Sequence, residues 1–261
     1  MKSIELYKQL INFCNANQDA IETRFKRELS FSELNQRCYL EMYAKCRHIE
    51  NPLPVKHFKD VIPGLTEAYR TNGYIFMRER NEYIKGLDIQ KGQWYEKALQ
   101  LFLGEQGFVV EKRGFPFPDF EVSYGNKVVG YYELKYIKAP FLTANTKIKN
   151  TYPYTSTRYD YEASLTLDTG AKLSKQRVKV EELLKNGNRV HYVWWYDCFH
   201  IKGLFAMKAE DVYNYHDAIN GDLLVRKERE GDKETHQEKG KIYPPLLEMI
   251  PFAEYIELLK H

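Results

Sequence analysis

The chain has 261 residues, 43% of them apolar, which allows a sizeable buried core and excludes global disorder. Its 39 basic and 36 acidic residues leave a net charge of only +3, which excludes a strongly basic nucleic-acid coat but leaves room for a basic cleft. In chain order, Leu6, Leu10, Phe13 and Asn17, then Ile21 and Phe25, follow one helix face with a polar interruption. Leu34, Cys38, Met42 and Cys46 repeat every four residues in a second helix over residues 32–48. Ser32 can cap its start, and the Asn-Pro-Leu-Pro run at 51–54 stops it. Helical or irregular material continues to about residue 90 without recognisable chemistry. Residues 1–90 are therefore expected to form a helical accessory subdomain.

From Lys91 the pattern changes. A helix is expected over 93–106, with Gly107 as its stop. A short apolar strand follows at 108–111, then a Gly- and Pro-rich connector at 113–118. Strands are expected at 119–124 and 127–137, joined by Gly125-Asn126, a hairpin-type turn. A helix over 173–184 ends at Asn186-Gly187, an aromatic strand runs over 189–196, and a further strand over 199–207. A hairpin plus a later strand reached across a helix makes an α/β fold with a mixed central sheet flanked by helices. Residues 91–261 form the expected catalytic unit; within its tail the run 226–241, dense in both charge signs, reads as a solvated loop.

One constellation carries chemistry. Asp119 follows Pro118 at the start of one hairpin strand, while Glu133 and Lys135 lie two apart on the next and face the same side. Counted from the turn, Asp119 and Glu133 lie nearly opposite, although a bulge could shift the pairing. Two carboxylates suit Mg²⁺, a hard oxygen-seeking cation, and a neighbouring lysine can orient or deprotonate water and offset charge on a phosphate. Glu-x-Lys alone is common on exposed strands. Here Tyr131, Tyr132, Leu134, Tyr136 and Ile137 make the strand apolar on both faces, so its two charges need partners. The competing reading is a buried Glu133–Lys135 pair without chemistry. His191 and Trp194-Trp195 read as core residues.

Pro118-Asp119 and Glu133-Leu134-Lys135, within GFPFPDFEVSYGNKVVGYYELKY, resemble the motif of the PD-(D/E)xK nuclease superfamily, which includes many type II restriction endonucleases. The resemblance covers roughly residues 93–207. It implies a restriction-endonuclease-like core with Asp119, Glu133 and the Leu134 carbonyl as metal ligands and Lys135 positioning the attacking water. It also implies a helix glutamate, for which Glu96 is the candidate, and in some branches a helix glutamine, for which Gln176 is the candidate. The activity implied is Mg²⁺-dependent endonucleolytic cleavage of double-stranded DNA at a specific site. The alternatives are a less specific repair, recombination or phage-defence nuclease, or a non-catalytic nucleic-acid-binding module. Cutting both strands is most simply done by a homodimer with two symmetric sites.

The stretch after Lys135 is basic, hydroxyl-rich and aromatic. Lys147, Lys149, Tyr154, Thr155, Ser156, Thr157 and Arg158 are the expected DNA contacts, extended by Lys172 and Lys175 on the following helix. The four cysteines, Cys14, Cys38, Cys46 and Cys198, form no Cys-x-x-Cys pair and read as reduced thiols. With a polar start at Met1, Lys2 and Ser3 and no run near the ~18 apolar residues that span a bilayer, a cytoplasmic protein without a membrane partner is expected.

Overall fold

The computed structural model describes residues 2–23, 29–46, 62–65, 67, 87–114, 117–137, 167–168, 171–197, 202–218, 224–226, 239–242, 244 and 248–261. Their elements in chain order are α1 (Ser3–Ala16), α2 (Glu33–Cys46), α3 (Leu87–Glu105), β1 (Val109–Lys112), β2 (Phe120–Tyr124), β3 (Lys127–Ile137), β4 (Leu167–Asp168), α4 (Ala171–Lys185), β5 (Val190–Asp197), β6 (Lys202–Lys208), α5 (Ala209–Ala218), β7 (Leu224–Arg226), β8 (Lys239–Ile242), β9 (Ile250–Pro251) and α6 (Phe252–Lys260).

The main sheet has six strands in the order β1-β2-β3-β5-β6-β9, and a second sheet pairs β4-β8-β7. In the main sheet β3 and β5 are parallel, with α4 in the crossover between them, and the other neighbours are antiparallel. This is the expected α/β architecture, a mixed sheet flanked by helices. β5 sits in the middle and is buried on both faces, which is why its sequence is a continuous aromatic and β-branched run rather than an alternation. Val190, Tyr192, Trp194 and Tyr196 of β5 share one apolar cluster with Leu173, Val180 and Leu183 of α4 and Val212 and Tyr213 of α5. Val193 and Trp195 belong to the opposite cluster, with side chains of α1, α3 and α6.

Local signals explain several boundaries. At the start of α2 the Asn35 amide donates to Ser32 Oγ at 3.3 Å and the Ser32 amide donates to Asn35 Oδ1 at 3.0 Å, a reciprocal cap with asparagine in the acceptor role. α3 ends at Gly107, whose φ of +89° lets the Phe108 amide reach back to the Leu103 carbonyl at 3.1 Å. α3 begins earlier than its apolar stripe, because Ile89 in its first turn is 66% exposed and marks no core face.

Two features go beyond the sequence reading. α1, within residues 1–90, packs on the sheet: Leu6, Tyr7, Leu10, Ile11 and Cys14 are buried in the cluster that holds Leu134 and Trp195. Tyr7 also accepts a hydrogen bond from Trp195 Nε1 at 3.1 Å. Cys38 and Tyr39 of α2 join the cluster on the other face. At the ends of the run 226–241, expected as a loop, Arg226 pairs with Lys239 and Leu224 with Lys241 as part of β7 and β8. Residues 227–238 lie outside the described set. These strands, of three and four residues, are too short to display a period-two pattern. α6, by contrast, buries Phe252, Tyr255, Ile256 and Leu259, a helical spacing that is legible in the sequence.

Candidate active site

β2 and β3 are joined by Gly125-Asn126, both with positive φ (55° and 64°), the backbone of a two-residue hairpin turn. Beside the turn Tyr124 pairs with Lys127 and Ser123 with Val128. Continued unchanged, that register sets Asp119 opposite Tyr132, whose ring packs with Phe120 on the face covered by α1, α3 and α6. The register does not continue. Val122 pairs with Gly130 and Phe120 with Tyr132, leaving Val129 as the extra residue of a β-bulge. One step beyond Phe120, Asp119 therefore comes opposite Glu133.

The side chains meet accordingly. The Asp119 and Glu133 carboxyls lie close enough for each to oppose the other's charge. Glu133 is 4% exposed. Lys135 Nζ donates to Glu133 Oε1 at 2.5 Å, and Gln176 Nε2 reaches the same oxygen at 3.4 Å. Tyr192 donates its hydroxyl proton to Gln176 Oε1 at 3.1 Å, and the Tyr213 hydroxyl lies 3.2 Å from that of Tyr192. Burial first, and then the Glu133 charge, hold the Asp119 carboxyl well above the usual carboxylate range, with Lys135 offsetting part of the effect. Two carboxyl groups pressed together beside one ammonium form a site that gains from a further cation.

The donor set fits Mg²⁺. Among the described residues no group of three or more His, Cys, Asp and Glu side chains gathers, but Mg²⁺ commonly takes only one or two carboxylates and keeps several waters. A third oxygen is in reach. The Tyr131 amide donates to Arg189 O at 2.8 Å, so residues 131, 133 and 135 direct their backbone groups toward β5. Leu134 directs its own toward the β2 side, and the β2–β3 pairing ends at Phe120–Tyr132. The Leu134 carbonyl is thus on the open stretch of β3 beside Asp119. Asp119, Glu133 and Leu134 would hold the ion.

No protein-family model matches the chain, and no curated protein matches it. Among solved structures it is similar to Archaeoglobus fulgidus Hjc, a Holliday junction resolvase from an archaeal hyperthermophile, at 14% identity and a TM-score of 0.36, over 64% of this chain and 96% of that one. At this distance the likeness assigns neither family nor activity. No described helix is long and apolar enough to cross a membrane.

The remaining candidates fall as follows. Glu96 on α3 is bonded to Lys112 at 2.7 Å and touches the site only through its charge, which adds to the pressure on Asp119. Glu121, two residues from Asp119, is taken by Arg113 at 2.6 Å, and the Arg113 guanidinium lies 5.2 Å from the Tyr131 ring centroid. Lys172 lies in the first turn of α4 and Lys175 is exposed on the same helix. Lys147, Lys149, Tyr154, Thr155, Ser156, Thr157 and Arg158 lie outside the described residues. His191 and both tryptophans of β5 are buried, as core residues are. Sequence reasoning missed Tyr192 and Tyr213. Their signal was a polar residue, Gln176, inside the apolar stripe of α4, which demands a buried partner on the strand it covers.

Proposed function

We propose that the chain is a Mg²⁺-dependent nuclease that hydrolyses DNA phosphodiester bonds at the Asp119–Glu133–Lys135 site. The observation that carries this reading is the bulged hairpin, which sets two carboxylates face to face with a lysine hydrogen-bonded to one of them. A structural Glu133–Lys135 pair has no use for Asp119, whose presence raises the cost of the arrangement through like-charge contact. When bound, the ion supplies Lewis acidity and an acidified water. The protein's own contribution is orientation and charge. Glu133 holds the Lys135 ammonium at the site, where it can align a water and offset negative charge developing on a phosphate. The position of the pair on paired strands rather than a loop keeps the geometry rigid.

The finer form of the proposal is a type II restriction endonuclease that cuts duplex DNA at a specific sequence as a homodimer. It is supported by the amount of chain beyond the main sheet and its helices, including the basic 138–166 segment and the β4-β8-β7 sheet, whose strand β4 follows that segment in sequence. The test is incubation of purified protein and Mg²⁺ with a long mapped duplex, followed by sequencing of the ends, with a four-way junction and single strands as parallel substrates. Discrete fragments that disappear with Asp119→Ala are expected. A smear at every dose removes the sequence-specific form and leaves the nuclease. Preference for the junction moves the assignment to a recombination nuclease. Absence of cleavage on every substrate, alike for wild type and variant, removes the enzyme reading.

A further inference from the structure

Gln176 occupies a place on α4 between Leu173 and Val180 where an aliphatic side chain would pack without needing a partner. It is retained there by a line of hydrogen bonds. A tyrosine hydroxyl has a single proton. Tyr192 gives its proton to Gln176 Oε1, so the Tyr213 hydroxyl is the donor to Tyr192. The line therefore runs one way, from Tyr213 to Tyr192, to the Gln176 carbonyl, and from the Gln176 amide nitrogen to Glu133. An amide can sit in either of two flipped orientations, and its neighbours choose between them. Turned over, Gln176 would set its carbonyl against the Glu133 carboxylate and its amino group against the Tyr192 proton. Both Gln176 and Lys135 converge on Glu133 Oε1, so neither takes Oε2. At the far end Arg177 covers the Tyr213 ring at 5.4 Å and is itself held by Asp217 at 2.9 Å and Glu181 at 3.1 Å.

We propose that Tyr192, backed by Tyr213, is a positioning residue: its hydroxyl fixes the Gln176 amide, and through it the Glu133 carboxylate, in the orientation that receives the metal. The proposal rests on the nuclease reading above. It concerns residues of two elements, β5 and α5, that carry none of the motif.

Tyr192→Phe removes one oxygen and keeps a ring between Phe117 (5.4 Å) and Trp194 (5.8 Å). Loss of an outer-shell orienting group commonly costs about 10- to 100-fold in metal affinity. Calorimetric titration of the DNA-free protein with Mg²⁺ is expected to give an affinity at least ~10-fold weaker for Tyr192→Phe, with KM for DNA unchanged and the rate largely restored at saturating Mg²⁺. In a Gln176→Leu background, Tyr192→Phe is expected to add nothing, because its effect passes through the amide. The Gln176 side-chain amide protons, read by NMR without metal, should lose exchange protection in Tyr192→Phe and keep it in Tyr192 wild type. A folded Tyr192→Phe protein with wild-type Mg²⁺ affinity overturns the proposal, as do effects of the two substitutions that simply add. If wild type binds Mg²⁺ but cuts no DNA, the nuclease reading fails while the affinity comparison still decides the role of Tyr192. If wild type neither binds Mg²⁺ nor cuts, both fall.

Discussion

At the scale of single residues, the site is a compromise between function and stability. Asp119 is held beside Glu133 at a cost, since burial and like charge both oppose its ionisation. Asp119→Asn should therefore raise the stability of the metal-free protein by on the order of 1 kcal/mol while lowering cleavage by more than ~100-fold. Denaturant melts and initial rates check the two halves separately, and a destabilised Asn variant would contradict the repulsion argument. His191 is a second residue under tension. Both ring nitrogens are buried without a hydrogen-bond partner among the described residues, and the ring sits edge-on to Tyr255 at 5.2 Å. Burial, with Lys208 and Arg189 nearby, pushes its pKa down to about 4. The folded pKa lies below the ~6.5 of an unfolded histidine, so the unfolded state binds the extra proton first. Stability is then whole above about pH 6.5 and falls progressively as the pH drops toward 4, by on the order of 3 kcal/mol. Melting curves from pH 8 to 4 should show this slope, and His191→Leu should flatten it.

At the scale of elements, the hairpin and the β3-α4-β5 unit do the positioning. Most of this was legible. The Gly-Asn turn, the continuous apolar run of β5 and the stripe on α4 each leave a periodic mark, because the burial that stabilises them is also what spaces their residues. The alignment of Asp119 with Glu133 is only approximate in the sequence, and the reason is specific: Val129 is an ordinary strand residue, and the local mark of the bulge is Gly130 beside it, which fixes neither the bulge nor its size. Tyr192 and Tyr213 were illegible for a different reason. Their function lies in hydroxyl protons on a face otherwise filled by apolar rings, and only the crossing of α4 over β5 brings Gln176 to them. The bulge yields a sharp test. Deleting Val129 removes the looped-out residue and leaves a regular hairpin in which Asp119 still faces Glu133. Cleavage should persist within ~10-fold of wild type in a protein whose circular dichroism remains that of the wild type. Loss of cleavage in such a folded protein would show that the bulge itself, and not only the facing of Asp119 and Glu133, is needed.

At the scale of the whole molecule, the described core is side chain packed on side chain. One cluster lies on each face of the sheet, and neither depends on the Asp119 site for its packing. EDTA should stop cleavage and leave the melting temperature unchanged, while Mg²⁺ at about 100 times its Kd should add about 2.7 kcal/mol by mass action. A large drop in melting temperature on chelation would instead indicate a structural ion. The N-terminal helix belongs to this same body. α1 buries Leu6, Tyr7, Leu10, Ile11 and Cys14, and at roughly 1.5–3 kcal/mol for each large apolar side chain its removal costs about as much as the 5–15 kcal/mol that holds a typical domain together. A chain lacking residues 1–16 should therefore fail to fold, as judged by soluble yield and the loss of a cooperative melt. A soluble, active truncation would support the picture of a detachable accessory unit.

The extra residue in β3 has a consequence in simple counting. Across a two-residue turn, residues that face each other are always an odd number of positions apart, as Tyr124 and Lys127 are. Asp119 and Glu133 differ by an even number, 14, and face each other only because one residue is looped out between them. Parity alone therefore announces the irregularity. Wherever two acidic residues flank a two-residue hairpin turn at an even separation, either an odd number of bulged residues restores their meeting or the two lie on opposite sides of the sheet and cannot share an ion.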